Sequence, residues 1–174
     1  VIKTAREHFP KIASSFAHPK SKLEIGDGMK YVSESADESF DLVIVDSPDR
    51  VGSAEGLYSE DFYQNIHRIL KPNGIMVAQS ESPRFNEHVF VGIANCHRKL
   101  FGKDNVWTYL AFVPTYTTGM WAFSFASKGA LSPSSVDRAE AAKFAHEHEL
   151  QYYNEDIHNA AFVLPTYVKK MLEE

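Results

Sequence analysis

Between Phe40 and Asp46 the chain reads Phe-Asp-Leu-Val-Ile-Val-Asp, with four consecutive apolar residues, three of them β-branched, closed by a carboxylate. So short and continuous an apolar run is the signature of a strand buried on both faces, as in a parallel sheet with helices above and below. Ser59, followed by Glu60 and Asp61, marks the start of a helix that runs to Leu70 and stops at Lys71-Pro72-Asn73-Gly74. Gly74 to Ser80 then reads as a second buried strand, and Asn86 to Phe101 as a helix.

The remainder follows the same alternation. Val1 to Ser14 predicts a helix that Pro10 kinks or ends, Lys22 to Ile25 a short strand, and Gly26-Asp27-Gly28 a turn into a helix ending near Glu34. Asn105 to Val113 and Met120 to Ser127 predict strands whose short connection makes them antiparallel neighbours. Ser132-Pro133-Ser134-Ser135 reads as a surface linker, and helices are expected over Val136 to Leu150, Glu155 to Phe162 and Thr166 to Leu172. The fold class is therefore α/β, a class I methyltransferase-like (Rossmann-type) arrangement with a mostly parallel sheet and a terminal antiparallel strand. In such sheets ligands sit beyond the carboxyl ends of the strands.

Composition narrows the function. With 44% hydrophobic and 13% aromatic residues, 174 residues suffice for one sizeable core. Cys96 is the single cysteine, which excludes an internal disulfide framework and fits the reducing cytoplasm. No apolar run approaches the ~20 residues that span a bilayer, and no basic leader precedes an apolar segment. The net charge of −5 and the lack of a dense Lys/Arg cluster argue against nucleic acid as a partner.

The residues after the strands carry the chemistry. Asp27, the pair Asp46 and Asp49, and Glu81 are expected on one rim, with Tyr116 from the Pro114 to Gly119 connection. Up to four carboxylates suit a cation, either a polyamine or a metal ion. Asp-x-x-Asp can hold Mg²⁺ through oxygen, but no G-x-x-x-x-G-K loop accompanies it. Of the eight histidines, His146 and His148 fall on different faces of a helix, which suits a solvated surface. Cys96 beside His97 in mid-helix reads as a packed thiol. Trp107, Tyr109, Trp121, Phe123 and Phe125 alternate along strands and read as core, and Tyr167 and Met171 as one packed helix face.

The motifs resemble those of the spermidine synthases, the polyamine aminopropyltransferases. Val45-Asp46-Ser47-Pro48-Asp49-Arg50-Val51-Gly52-Ser53-Ala54 is similar to that family's D-S-x-D-P-x-G-P-A loop. Gly26-Asp27-Gly28 matches its G-D-G turn, Gln79 to Pro83 its Q-x-E-x-P segment, and Val113 to Trp121 its V-P-T-Y-P-S-G-x-W segment. Tyr152 to Pro165 matches its Y-Y-x-x-x-I-H-x-A-A-F-V-L-P signature, in which His158 is expected to hydrogen-bond within the C-terminal packing.

The resemblance implies transfer of the aminopropyl group of decarboxylated S-adenosylmethionine, a co-substrate, to putrescine or a similar amine, giving spermidine and methylthioadenosine. No separate cofactor or metal is implied. Asp46 would be the general base, and Asp46, Ser47, Pro48, Asp49, Tyr116, Gln79 and Glu81 would hold the amine. Asp27, Gly28 and Ser53 would hold the nucleoside. A homo-oligomer, dimer or tetramer, is implied for the full-length protein. The chain departs from the pattern at Arg50 and Ser53, where the family has proline, at Thr117-Thr118, where it has Pro-Ser, and at Arg84, where a Trp is common. Two fewer prolines give that loop more conformational freedom.

The family's G-G-G-D-G-G loop, the strand before it and its small N-terminal β-domain find no match in these residues. The expectation is therefore a partial catalytic domain over residues 1–174, with the N-terminal strands missing. A non-catalytic module that binds a partner subunit or a polyamine is the alternative, and a small-molecule methyltransferase a third reading.

Overall fold

A computed structural model describes residues 1–48 and 56–173. Its centre is a four-stranded sheet in the order β1-β2-β4-β3, from β1 (Phe40–Val45), β2 (Leu70–Gln79), β3 (Val106–Phe112) and β4 (Met120–Ser127). β1 and β2 pair in parallel, and β4 runs antiparallel to both β2 and β3. Three strands thus share one direction, and the last strand in the sequence is inserted against them.

The helices begin where the sequence supplies caps. Asp27 caps α3 (Gly28–Glu34), accepting from the Met29 and Lys30 amides, and Ser59 caps α4 (Glu60–Ile69) through the Phe62 amide. Asn86 precedes α5 (Glu87–Phe101), and Asp137 and Asn154 cap α6 (Arg138–Glu147) and α7 (Glu155–Ala161). α8 (Thr166–Glu173) closes the described chain. At the other end Pro10 divides the predicted first helix into α1 (Ile2–His8) and α2 (Pro10–Ala13), entering α2 at its first position, where a missing N–H costs nothing.

The main core lies between the sheet and α4. Phe62, Tyr63, Ile66 and Ile69 of α4 are buried with Leu70, Met76 and Ala78 of β2, and Phe101 of α5 joins them. Arg68 ties α4 to the end of α3. Its guanidinium donates to the carbonyls of Val32 (2.9 Å), Ser33 (3.2 Å) and Ser35 (2.8 Å) and pairs with Asp37. The planar fork thus answers the carbonyls that a helix end leaves unpaired and the negative end of its dipole. A second cluster joins Phe90 of α5, Ala122 of β4 and Val168 of α8.

Several expectations change. Residues 21–25 form no strand: no described strand lies beside them, so their backbone has no ladder, and Ile25 remains 85% exposed. β1 is buried on one face only, because the described elements leave its other face uncovered. Val45 faces the core, whereas Leu42 and Ile44 on the opposite face are 50% and 68% exposed. β2 starts at Leu70, earlier than Gly74. Leu70 pairs with Phe40 and Ile75 with Leu42, leaving Pro72 in the irregular stretch between, where its missing N–H breaks no ladder.

The strand aromatics are also not core. In β3 and β4 the buried face under α5 consists of Val106, Thr108, Ala122, Ser124 and Ala126. Trp107, Tyr109, Trp121, Phe123 and Phe125 stand half-buried on the other face, where Phe162, just after α7, lies 5.2 Å from the Tyr109 ring. On α8 the packed side is Val168, Met171 and Leu172, while Tyr167 lies outward with its hydroxyl on Met120 Sδ at 3.5 Å. Within the predicted linker, Pro133 is buried. Its carbonyl meets His158 Nε2 at 2.9 Å, and Tyr153 meets the other ring nitrogen at 3.2 Å, so His158 does bond within the C-terminal packing. His146 and His148 are exposed, and Cys96 is half-buried with burial raising its pKa.

His97 is fully buried, its ring 4.3 Å from that of Tyr63 in an edge-to-face pair, and neither ring nitrogen has a hydrogen-bond partner among the described residues. Burial lowers its pKa from 6.5 to about 3. The folded state therefore binds fewer protons than the unfolded one between those values, and stability falls as pH drops below 6.5 toward 3. The slope from this residue reaches about 1.4 kcal/mol per pH unit. Urea unfolding between pH 7 and 4 should show a flatter acid limb in His97→Leu than in the parent; an unchanged limb would exclude a neutral, buried His97.

Candidate functional site

Asp46 is the first residue past β1, and Gln79 the last of the adjacent parallel strand β2, so the two emerge side by side at the carboxyl edge of the sheet. Asp46 is exposed, Ser47 half-buried and Pro48 exposed. Gln79 is 5% exposed and every part of its amide is engaged. Nε2 donates to the Ser47 carbonyl at 3.2 Å and to the Tyr58 hydroxyl at 2.5 Å, with Ser47 Oγ at 3.4 Å. Oε1 accepts from Trp121 Nε1 at 2.9 Å and from the Glu81 amide at 3.0 Å.

Those partners fix which way the amide faces, because an indole N–H and a backbone N–H only donate while a backbone carbonyl only accepts. One side chain therefore joins the turn after β1, the end of β2 and the start of β4.

Beside Gln79 opens a cavity of about 510 Å³, lined among others by Asp46, Ser47, Gln79, Tyr116 and Trp121. Tyr116 comes from the connection between β3 and β4, which closes through Val113 N–H to Gly119 O and Gly119 N–H to Tyr116 O. Gly119 sits at φ +64°, a left-handed conformation that glycine adopts without penalty. The Tyr116 ring lies 4.5 Å from that of Trp121. The cavity wall is thus aromatic, with an amide and a carboxylate at one end, a lining suited to a short apolar chain bearing a cationic nitrogen.

Asp46, Ser47 and Pro48 also line a second cavity of about 400 Å³ on the α3 and α4 side, with Tyr31 and Leu57. Tyr31 in turn borders a third, of about 570 Å³, lined by Ile25, Gly26, Asp27 and Gly28. Asp46 therefore stands between two hollows, one leading by way of Tyr31 to the Asp27 turn and the other to Tyr116.

Of the four carboxylates expected on one rim, the three described ones, Asp27, Asp46 and Glu81, line no common cavity. Glu81 is 2% exposed, and its carboxylate accepts from Asn86 Nδ2 at 2.8 Å. Its φ of +69° costs a non-glycine residue on the order of 1 kcal/mol. The conformation is held by its amide on Gln79, by its carbonyl accepting from Ala122 N–H at 3.0 Å, and by Asn86. Glu81 thus braces Gln79 from behind and does not line the cavity beside it. Asp27 spends Oδ1 on capping α3, at 2.8 Å from the Met29 amide. Asp49, Arg50 and Ser53 lie outside the described residues, as does the conformational freedom expected of their loop. Among the described residues no three His, Cys, Asp or Glu side chains group as metal ligands.

Two polar partners went unassigned in the sequence. The alternation of β4 makes Trp121 a core residue in the sequence, yet its indole N–H belongs to the site. Tyr58 lies in no motif, and only the neighbouring cap Ser59 marks its region.

Strand order and direction define a methyltransferase-like α/β fold, with its candidate site at the carboxyl edge of the parallel strands. The chain belongs to the spermine/spermidine synthase family, whose domain matches residues 1–140. It is 40% identical over 173 residues to the polyamine aminopropyltransferase of Moorella thermoacetica, covering 99% of this chain and 58% of that protein. With the corresponding protein of Caldicellulosiruptor saccharolyticus it shares 35% identity over 173 residues, covering 99% and 59%. Among solved structures, a spermidine synthase in complex with the transition-state analogue AdoDATO superposes with a TM-score of 0.90 at 35% identity, over 98% of this chain and 57% of that one. The spermidine synthase of Thermotoga maritima gives 0.87 at 34%, over 98% and 56%. The chain thus spans somewhat under 60% of the length of these relatives.

Gln79→Glu should destabilise the chain by roughly 1–3 kcal/mol in urea unfolding, because a carboxylate has no N–H to give to the Ser47 carbonyl and sets an acceptor against it. Stability equal to the parent's would show that the amide is not the joint described.

Proposed function

We propose that the chain forms the amine side of a polyamine aminopropyltransferase, with Asp46 as the general base. The observation that carries this reading is the position of Asp46 between the aromatic cavity of Tyr116 and Trp121 and the hollow that leads to Asp27 and Gly28. A diamine such as putrescine would lie along the first, and the nucleoside of decarboxylated S-adenosylmethionine against Asp27 and Gly28.

The chemistry follows from charge. A protonated amine has no lone pair, so its proton passes to the Asp46 carboxylate. The freed nitrogen attacks the aminopropyl carbon bonded to the sulfonium. As the C–N bond forms the C–S bond breaks, and its electron pair stays on sulfur, giving methylthioadenosine and spermidine. The sulfonium is already an activated leaving group, so alignment of nitrogen, carbon and sulfur supplies much of the rate.

Ser47, Pro48, Gln79 and Tyr116 would shape the amine side, with Glu81 acting through Gln79. Asp49 as an amine anchor and Ser53 as a nucleoside contact belong to the same proposal. So do the absence of a separate cofactor, a homo-oligomeric full-length protein, the cytoplasmic setting, and a catalytic domain only part of which lies within these residues.

Asp46→Asn keeps size and polarity but cannot take the proton. In the full-length protein it should lower aminopropyl transfer by about 10²-fold or more, while methylthioadenosine affinity by calorimetry stays within about two-fold. Transfer at the parent's rate would remove Asp46 from the role of base.

A further inference from the structure

The Tyr58 hydroxyl, outside every recognised motif, is bonded on both sides. It donates to the Pro48 carbonyl at 2.8 Å and accepts from Gln79 Nε2 at 2.5 Å. A phenol has one proton; with that proton on Pro48, its oxygen faces the Gln79 amide as an acceptor. The chain Gln79 N–H to Tyr58 O–H to Pro48 C=O therefore has one polarity. It fastens the turn that follows Asp46 to a helix entrance and to the end of β2. The Gln79 amide is in turn held by Trp121 and Glu81, so the tether ends on side chains that do not move freely. Tyr58 is itself half-buried and is not among the residues lining the aromatic cavity.

We infer that Tyr58 is a positioning residue for the amine half of the reaction: through Pro48 and Gln79 it sets the turn bearing Asp46 against the cavity that receives the amine. Pro48 has no N–H, so its carbonyl is the one backbone polar group by which the turn can be held at that residue. Tyr58→Phe retains the ring and removes only the hydroxyl, leaving the carbonyl and one Gln79 N–H without that partner. Small displacements of a substrate-aligning group carry large kinetic costs. Asp27 and Gly28, against which the nucleoside is proposed to lie, line a separate cavity that neither Pro48 nor Gln79 borders.

This role rests on the aminopropyl-transfer reading, so the test separates the two. In steady-state assays Tyr58→Phe should raise the KM for putrescine about ten-fold and leave that for decarboxylated S-adenosylmethionine within about two-fold. A merely structural role would lower the active fraction, and with it the apparent kcat, without moving either KM. An unchanged putrescine KM, or an equal rise in both, overturns the inference. If the full-length protein transfers nothing, the proposed function fails by itself, and the tether is judged by titrating putrescine against the backbone amide signals of Asp46 and Ser47. Binding about ten-fold weaker in Tyr58→Phe than in the parent supports the inference; equal binding, or no binding by the parent, overturns it.

Discussion

The candidate site hangs on one amide. Gln79 ends β2 one residue past the last rung of its parallel pairing with β1, and there its side chain takes over the joining of the two strands. It gives hydrogen bonds to the turn after β1 and to Tyr58, and accepts them from β4 and from Glu81, two residues beyond β2. With two donors and two acceptor directions all engaged at 5% exposure, the group has one orientation that satisfies its surroundings. The left-handed Glu81 is tolerable because its amide, carbonyl and carboxylate are each held, and in that conformation it presents its N–H to Gln79.

From that joint the geometry of the site follows. Parallel pairing of β1 and β2 brings Asp46 beside Gln79, and antiparallel insertion of β4 brings Trp121 to the amide oxygen from the other side. The aromatic residues of β3 and β4 then wall a cavity, because the opposite face of those strands carries small side chains that let α5 approach closely. The bulky and small faces of the same two strands thus serve different ends, a cavity wall on one side and helix packing on the other.

Much of this was legible in the sequence, for local reasons. The helix start at Ser59, the turn at Gly26-Asp27-Gly28, the helix end at Phe101 and the antiparallel pair around residues 114–119 depend on neighbours a few residues apart. The strand ends that carry Asp46, Gln79 and Tyr116 were located by the same reasoning. What was not legible depends on distant partners. Lys22 to Ile25 has the composition of a strand but no described strand to pair with, and Leu42 and Ile44 are exposed because the described elements leave that face of β1 uncovered, which its apolar run does not encode. The aromatic stripe of β3 and β4 has the alternation of a core face, and only the placement of α5 shows which face is packed. Tyr58 acts through partners ten and twenty-one residues away, a relation no local pattern reveals.

Under the proposed function, the cavity that the Gln79 joint builds, walled by Tyr116 and Trp121 with Asp46 at its end, receives the amine. This placement is tested most directly by intermolecular nuclear Overhauser effects between putrescine methylenes and the protein, with methylthioadenosine present. Contacts to the Tyr116 and Trp121 ring protons are predicted. Contacts confined to Tyr31 and Leu57, on the other side of Asp46, would contradict the account.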